Sequence, residues 1–433
     1  MEESKLNLFL VNINFLFLFL LLPALVWGSF AADLVISIMS LIFLFQTFKY
    51  RLFAYYNNIL VKFLILFYIY LFIRSLFSDF EIGLNNSIKI FFYFRFIIFV
   101  VALSYVILKK ENIIIKYKFF LYIFLYVLIF DGLLQFFFGR NLVGYPLGLD
   151  GRIGSFFYDE YVFGSFLSKI FPIFIAIAFY NQKQIKNRYF VLFFNIIIFL
   201  FVVFLSGERT AFILLLFAAL LLIFSFKIQK RILYFLIISM TLIAIIFSFH
   251  KDHRLFDRYL VKTSNEVQSI IRDNLNKKIL TNQYFDQGSI YTLMFSTSLK
   301  MYNSNKLFGL GPKTFSYYCD KYDYFSYSNE LRGCSSHPHN IYFQLLAETG
   351  IVGFSFVFIF FIYLFFLIFK NLFYIYFKKE ILHSSLETCM HIALFVNLWP
   401  LAFSGNFFNN WISILYFLPI GFLLNRINRS KLK

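Results

Sequence analysis

The sequence predicts an all-α fold, a polytopic bundle of transmembrane helices with one large loop outside the membrane. Of the 433 residues, 61% are hydrophobic and only 14% are charged, whereas a soluble domain carries about 25% charged residues. The hydrophobic residues form runs of about 20 residues, which cross a bilayer as helices, and these runs lack the alternation of barrel strands. These observations exclude the ordinary soluble classes of protein.

The apolar runs predict about twelve membrane spans. They cover residues 8–27, 31–48, 60–77, 90–108, 119–138, 161–180, 189–205, 211–226, 232–249, 341–369, 386–404 and 410–425. The first run is interpreted as an uncleaved helix rather than a secretory signal, because Glu2 and Glu3 accompany a single Lys5 before it and the run is longer than a typical signal core.

The basic residues predict the orientation of the bundle. Clusters such as Lys183, Lys186 and Arg188 fall in every second gap between the apolar runs, and cytoplasmic gaps keep an excess of Lys and Arg. Both termini are therefore predicted to lie in the cytoplasm. The net charge of +18 follows from this topology, so no nucleic-acid partner is expected.

The spacing of the runs divides the chain into three parts. Residues 1–249 hold spans one to nine, residues 250–340 form the large loop on the outer side, and residues 341–433 hold the last three spans. Long loops cross the membrane largely regardless of their charge, so the basic residues of the loop do not contradict this topology.

Two of the three cysteines, Cys319 and Cys334, lie in the large loop. A loop in an oxidising compartment is expected to form a disulfide, and closing a loop of about fifteen residues is worth roughly 3 kcal/mol in the chain-entropy account. Two free thiols are the alternative. No cysteine pair has the compact spacing of a structural zinc site, so no metal is expected.

A polar cluster, Ser-Gly-Glu-Arg-Thr at 206–210, interrupts two long apolar runs. A charged residue at the end of a membrane helix is costly unless it meets water, a partner or a substrate. Arg209 can grip an anionic lipid head group, because its guanidinium fork matches two phosphate oxygens. An ion pair with Glu208, or an arginine that reaches the interface, is the alternative.

A second cluster contains two histidines and begins the tenth span. Pro338 disfavours helix at the preceding residue, so a helix is expected to start near His339 or Asn340. A histidine here can act as a general base, with loop or capping histidines as the alternative. Helical spacing places three polar residues on one face: Asn340, Gln344 and Glu348. The Asn-rich turn at 404–411 is predicted to reach the same side.

These segments together resemble the O-antigen ligase and O-antigen polymerase superfamily of bacterial membrane glycosyltransferases. The resemblance is carried by Ser-Gly-Glu-Arg-Thr at 206–210, Leu-Phe-Gly-Leu-Gly-Pro-Lys-Thr-Phe at 307–315, Gly-Cys-Ser-Ser-His-Pro-His-Asn at 333–340, the run at 342–353, and Ser-Gly-Asn-Phe-Phe-Asn-Asn-Trp at 404–411. It covers residues 200–411 and is only architectural before them.

The resemblance implies an enzyme of the bacterial inner membrane whose active site faces the periplasm. Its donor would be a polyprenyl-diphosphate-linked glycan, and it would need no cofactor or metal. The family's His-Asn step falls on His339 and Asn340, which makes His339 the expected base and His337 the less favoured neighbour. The family's outer arginine falls on Arg209, the expected diphosphate ligand.

The chain departs from the family pattern at one position. Family members often carry a second arginine ahead of the Gly-x-Gly-Pro turn, but residues 288–295 contain none. Four residues are candidates for the missing cation: Arg258, Arg272, Lys300 and Lys313. Four charged residues inside the spans can line the lipid or sugar path or form buried ion pairs: Arg74, Arg95, Asp131 and Lys169.

Two acceptors remain open within the family. A ligase transfers the glycan to a lipid A-core sugar, whereas a polymerase transfers it to a second lipid-linked repeat unit; the His-Asn pattern favours the ligase. A secondary transporter is a more distant alternative, disfavoured because the chain shows no two related halves. A non-catalytic scaffold is the least favoured hypothesis.

Overall fold

The structure, a computed structural model, describes residues 5–78, 80–110, 112–148, 151–180, 188–226, 255, 257–264, 268, 290–321, 323–328 and 331–432. The predicted span at 232–249 and the candidate residue Arg272 lie outside the described residues.

The described chain is helical apart from its loops and one minimal hairpin, as the sequence predicts. The helices are α1 (Lys5–Trp27), α2 (Ser29–Tyr50), α3 (Ile59–Leu76), α4 (Phe80–Phe91), α5 (Phe94–Lys109), α6 (Ile113–Phe138), α7 (Phe163–Ala178), α8 (Arg188–Leu205), α9 (Arg209–Ser225), α10 (Ile290–Ser304), α11 (Phe315–Tyr318), α12 (Ile341–Phe373), α13 (Ser385–Asn397) and α14 (Asn410–Leu432). The hairpin pairs β1 (Tyr327–Ser328) antiparallel to β2 (Leu331–Arg332).

Six helical segments of the described chain are long and apolar enough to cross a membrane: Lys5–Trp27, Ser29–Tyr50, Ile59–Leu76, Asn85–Lys109, Ile113–Phe138 and Ile341–Lys378. Four shorter apolar helices coincide with further predicted spans: Phe163–Ala178, Phe190–Leu205, Arg209–Ser225 and Asn410–Asn425. The predicted span at 386–404 is helical over Ser385–Asn397. The chain is therefore a multi-pass membrane protein, while the number of twelve spans and the orientation of the termini stay predictions.

Helices α5 and α7 form the centre of the bundle. Residues 96–107 of α5 and nearly all of α7 are buried, whereas α1, α3 and α12 each keep an exposed apolar face. Such faces suit contact with lipid chains. Some of the polar side chains inside the bundle pair with one another: Asn7 donates to the Tyr105 hydroxyl (2.8 Å) and Gln46 donates to the Asn7 side chain (2.8 Å).

Helix α12 is broken at Gly350, where φ is 61° and ψ is −169°. The break removes the helical hydrogen bonds between 347 and 351 and between 348 and 352. Residues 306–311 replace them: Leu310 and Gly311 donate to the carbonyls of 347 and 348 (3.0 and 2.8 Å), and the N–H groups of 351 and 352 donate to carbonyls of 306 and 307. Unpaired backbone groups at membrane depth cost several kcal/mol each. The segment 306–311 therefore completes α12.

Two glycines allow this close approach. A Cβ added at Gly309 would lie 2.5 Å from the backbone nitrogen of Gly350, and one added at Gly350 would lie 2.4 Å from the carbonyl oxygen of Leu307. Both glycines have positive φ angles, which glycine adopts without strain. Two of the quoted motifs, at 307–315 and 342–353, thus interlock backbone to backbone.

Candidate active site

A tight turn at 206–208 joins α8 to α9. The carboxylate of Glu208 accepts hydrogen bonds from the backbone N–H groups of Gly164 (2.5 Å) and Ser165 (3.0 Å) and from the Ser165 hydroxyl (2.6 Å). These groups begin helix α7, and a helix N-terminus stabilises a carboxylate. Burial raises the pKa of Glu208, and these hydrogen bonds oppose that shift. The residue ties α9 to α7, a role that sequence reasoning did not anticipate.

Two arginines meet at this turn. Arg209 begins α9, and its Nη1 donates to the Thr263 hydroxyl (2.8 Å). The buried Arg258 donates from Nε to the carbonyl of Gly207 (3.1 Å). The segment 257–264 of the large loop therefore lies against the turn and brings a second guanidinium to Arg209. Of the four candidates for the missing cation, Arg258 is the one that contacts this turn directly in the described structure.

Arg152 is a third guanidinium near the same turn, and sequence reasoning missed it. Its charge lowers the pKa of Glu208 against the effect of burial, and its guanidinium lies 5.6 Å from the ring centroid of Tyr161. Its Nε is buried without a hydrogen-bond partner among the described residues. A signal was present in the sequence: Arg152 lies in a predicted outer gap, where arginine is less frequent than in cytoplasmic gaps.

Asn340 caps helix α12 and connects it to the last outer turn. Its side-chain oxygen accepts hydrogen bonds from the N–H groups of Tyr342 (2.9 Å) and Phe343 (3.2 Å), while its amide donates to the carbonyl of Pro400 (2.7 Å). The predicted helix start is thus correct to within a residue. His339 itself lies outside the helix, directly before the cap, in a left-handed conformation (φ 56°).

The two histidines of the segment lie side by side. The ring centroids of His337 and His339 are 4.2 Å apart, and the ring of Tyr291 packs edge-on against His339 at 5.8 Å. Nδ1 of His337 is 2.9 Å from the Ser336 hydroxyl, and the carbonyl of His339 accepts a hydrogen bond from the N–H of Ser404 (2.8 Å). The left-handed turn at His339 is therefore fixed from both sides.

Burial favours the neutral form of both imidazoles. It lowers the pKa of His337 to about 4, with a further lowering by the neighbouring His339 and a smaller opposing contact from the backbone of Ser404. Burial also lowers the pKa of His339. Both rings are accordingly neutral near pH 7, which is the form that accepts a proton.

Gln344 and Glu348 share one helix face, as predicted, and Gln344 donates to the Glu348 carboxylate (3.2 Å). Both are buried. Gln344 donates to the Asn406 side chain (2.8 Å) and accepts from the N–H of Phe407 (2.8 Å). Glu348 accepts from the N–H groups of Lys313 (3.0 Å) and Phe315 (2.9 Å). The shared helix face therefore binds the surrounding loops into one unit.

Lys313 lies in a group of charged residues beside this unit. Burial, with the charges of Lys89 and Arg95, lowers the pKa of Lys313 to about 8, and the carboxylates of Glu348 and Asp33 oppose the shift. Arg95 donates from Nε to the Asp33 carboxylate (2.9 Å), so for Arg95 the ion-pair alternative is observed. Lys313 keeps its proton at neutral pH.

The remaining predicted cations and acids hold loops. Arg74 donates to the carbonyls of Phe308 (2.9 Å) and Gly309 (2.6 Å), and Lys300 donates to the carbonyl of Phe325 (3.0 Å). The Asp131 carboxylate accepts from the N–H of Leu142 and the hydroxyl of Ser155. Lys169 lies within electrostatic reach of Glu208.

Cys319 and Cys334 are joined by a disulfide, and Cys389 is buried with a free thiol. Both bonded cysteines lie near Asp320, and one ligand atom of each of the three residues falls within 4.8 Å of the others. Disulfide sulfurs do not act as thiolate ligands, so this group does not form a metal site. The bond links α11 to the segment that carries the histidines.

A continuous set of contacts joins the arginine turn to the histidine segment. Glu208 binds the start of α7, and two residues after Gly164 the ring of Phe166 packs against Trp411 (ring centroids 6.2 Å apart). Trp411 ends the turn at 404–411, which contacts both Gln344 and His339. The two groups therefore occupy the same end of the bundle.

One comparison with known protein families bears on the motifs of this region. Residues 194–358 match the family described as O-Antigen ligase, and the match confirms the resemblance inferred from the motifs. The matched range contains six of the charged residues and histidines described above: Glu208, Arg209, Arg258, Lys313, His337 and His339. It ends before the turn at 404–411. The search of curated proteins gave no match.

Proposed function

We propose that this membrane protein transfers a glycan from a polyprenyl diphosphate to an acceptor hydroxyl, since residues 194–358 match the O-antigen ligase family. The observation that carries the proposal is the pair of arginines at the turn 206–208, Arg258 on the carbonyl of Gly207 and Arg209 on the Thr263 hydroxyl, on the same end of the bundle as two neutral imidazoles. Glycosyl transfer from a diphosphate needs these two functions: a base for the acceptor, and cations for the leaving group.

His339 is the proposed general base. Its imidazole is neutral and half-buried, so it can remove the proton of the acceptor hydroxyl as the new glycosidic bond forms. His337, with a pKa lowered to about 4, is the weaker base, because proton transfer is most effective when the pKa of the base lies near the working pH. His337 is proposed to position His339 through the ring contact.

Arg209 and Arg258 are proposed to bind the diphosphate as it departs. Charge accumulates on the bridging oxygen when the bond to the sugar breaks, and two guanidiniums stabilise that charge more in a low-dielectric site than in water. Arg258 takes the place of the second arginine that the family pattern leads one to expect at 288–295. Lys300 is less suited, since it is hydrogen-bonded to the loop at Phe325.

The acceptor is proposed to be a lipid A-core sugar or a similar hydroxyl, as for a ligase, with a repeat-unit polymerase as the alternative. The His-Asn step at 339–340 favours the ligase assignment. The active site is proposed to face the periplasm from the bacterial inner membrane. The resemblance to the family implies that neither a nucleotide sugar nor a metal takes part.

The glycan profile of a deletion strain tests this assignment. Loss of long chains from lipopolysaccharide with accumulation of lipid-linked polymer indicates a ligase, whereas chains of a single repeat indicate a polymerase. A matched assay uses the purified protein, a lipid-linked donor and either acceptor. An unchanged glycan profile together with no transfer to either acceptor would overturn the proposal.

Thiol labelling of single-cysteine variants at Ser304 and Ser384 tests the orientation. An impermeant reagent should label Ser304→Cys in intact cells and should reach Ser384→Cys only after the membrane is opened. Equal labelling at both positions would contradict the predicted topology, because the two residues would then lie on the same side.

A further inference from the structure

Lys169 places a positive charge inside an apolar helix of the bundle. It lies in the first half of α7, most of whose side chains are buried and apolar. The side chain of Lys169 is partly buried, and its ammonium group makes no hydrogen bond or ion pair in the described part of the chain. A charged residue inside a membrane helix is costly and generally marks a partner or the path of a ligand.

Glu208 lies within electrostatic reach of Lys169 but does not form an ion pair with it. The carboxylate of Glu208 already accepts three hydrogen bonds from the first turn of α7, given by the N–H groups of Gly164 and Ser165 and by the Ser165 hydroxyl. The positive charge of Arg152 acts on the same carboxylate. Glu208 is therefore not a dedicated counter-ion for Lys169.

The turn at 206–208 has more positive than negative charge around it. Four cations lie near Glu208: Arg152, Lys169, Arg209 and Arg258. The hydroxyl of Tyr259 interacts electrostatically with Glu208 and with the last two of these arginines, so the charges are close together. Glu208 balances only one of the four. A diphosphate between a lipid and a sugar has the complementary charge, and it becomes more negative when the bond to the sugar breaks.

The four cations enter this region from different depths. Arg152 and Arg258 come from loops, and Arg209 is the first residue of α9. Lys169 lies one helical turn after Ser165 in α7, which is about 6 Å further into the bundle along the helix axis. Side chains on a helix tilt towards its N-terminus, so the ammonium group can approach the turn while the aliphatic stem stays among apolar groups. Lys169 is therefore the cation that comes from deepest in the bundle.

We propose that Lys169 binds the lipid-side phosphate of the donor, an inference that rests on the function proposed above. The polyprenyl chain of the donor lies in the membrane and its glycan lies in water. The phosphate attached to the chain is thus deeper than the phosphate attached to the sugar. Arg209 and Arg258 bind the sugar-side phosphate, and Lys169 supplies a point charge to the other, for which the forked geometry of arginine is not needed.

The test measures the binding of two lipids without a glycan, farnesyl monophosphate and farnesyl diphosphate, to the purified full-length protein in detergent. The phosphate of the monophosphate is attached directly to the lipid chain, so it reports the lipid-side contact alone. Lys169→Met should weaken the binding of both lipids by about tenfold to a hundredfold, as for loss of a contact between charged groups. Arg209→Ala should weaken the diphosphate by a similar factor and the monophosphate much less.

Lys62→Met is the matched control. Lys62 is an exposed lysine of α3, and it lies twelve residues before Arg74, which binds the loop at 308–309. It is therefore about 18 Å along α3 from that end of the bundle, and its substitution should leave the binding of both lipids unchanged. Lys169→Gln, which keeps a polar group, should show the same losses as Lys169→Met.

The thermal midpoint without lipid separates a binding role from a structural one. Lys169→Met should not lower it, because the substitution removes an unpaired ammonium from apolar surroundings. A lower midpoint with unchanged affinities would overturn the inference and assign Lys169 to the support of Glu208.

Two further outcomes are decisive. If the unmodified protein binds both lipids and Lys169→Met binds them equally well, the inference fails while the proposed function stands. If the unmodified protein binds neither lipid, the inference and the proposed donor fail together.

Discussion

The two halves of the candidate active site are built in different ways. The histidine half combines one local contact with one neighbouring turn: Asn340 caps the helix that directly follows, and Ser404 of the turn at 404–411 holds the carbonyl of His339. The arginine half depends on distant contacts, since Arg258 comes from the large loop and Glu208 binds the start of α7. The position of the base is therefore set mainly by one short segment and a neighbouring turn, and the position of the diphosphate ligands by the packing of several elements.

The largest expected effect is on the histidine half. His339→Ala should lower the rate of transfer by about 10²–10⁴, the usual contribution of a general base. His337→Ala should be milder, because its imidazole does not take the proton. Single-turnover assays with purified protein and lipid-linked donor measure both. Near-normal turnover in His339→Ala would refute the assigned base.

The next effect concerns Arg209. Arg209→Ala should lower the rate by about 10²–10³, as for loss of one donor that stabilises developing charge. Arg209→Lys should restore only part of the rate, because an ammonium cannot make the forked contact.

Arg258→Ala should resemble Arg209→Ala if the two act on one diphosphate. Full activity of Arg258→Ala would assign the second contact elsewhere, and Arg152 would then be the first residue to test.

A smaller effect is expected at Glu208, and it distinguishes the two halves directly. Glu208→Gln keeps the shape of the side chain but loses the charge that binds the N-terminus of α7. The loss should lower the free energy of unfolding by about 1–2 kcal/mol. The arginine half should become less rigid, so the apparent affinity for the donor should fall. The pH dependence of the rate, which reports the pKa of the base, should stay nearly unchanged. Donor-concentration and pH series on the same variant check this. A shifted pH profile with unchanged donor affinity would contradict the separation of the two halves.

The smallest effect is a pH dependence of stability. Because burial lowers the folded-state pKa of His337 to about 4, the unfolded chain binds more protons than the folded protein between about pH 4 and 6.5. Stability contributed by the neutral imidazole is present above about pH 6.5 and is lost as the pH falls through this window. Thermal midpoints measured from about pH 7 to pH 4 should fall less in His337→Gln than in the unmodified protein. Equal slopes would show that His337 does not titrate in this way.

Local patterns in the sequence predicted the parts of the fold that they determine. Apolar runs indicated the helices, since most described helices coincide with a predicted span, and Pro338 placed the start of α12 within a residue. The break at Gly350 was not predicted, because hydrophobicity continues through it. The glycine at 350 was the available signal. A glycine inside a helix lowers helix stability by about 1 kcal/mol relative to alanine, and it often marks a place where another segment packs closely.

The candidate site was predictable in residue type but not in contacts. Spacing showed that Gln344 and Glu348 share a face, but not that loops cover that face and bury both residues. It also offered no basis for choosing Arg258 over Lys300 or Lys313, since that choice depends on where a distant loop segment lies. Contacts of this range are set by tertiary packing, which a single sequence does not display.

The exchange of hydrogen bonds at Gly350 has a consequence for how the protein can be divided. The large loop supplies the partners for backbone groups of 347, 348, 351 and 352, so the loop is a component of the membrane domain and not an appendage. A shortened protein without residues 306–311 would expose those groups at the site of the break. The isolated loop would in turn lack α12, the helix against which its segment 306–311 packs. Modular dissection, which suits many receptors with separate outer domains, is therefore unsuited to this molecule.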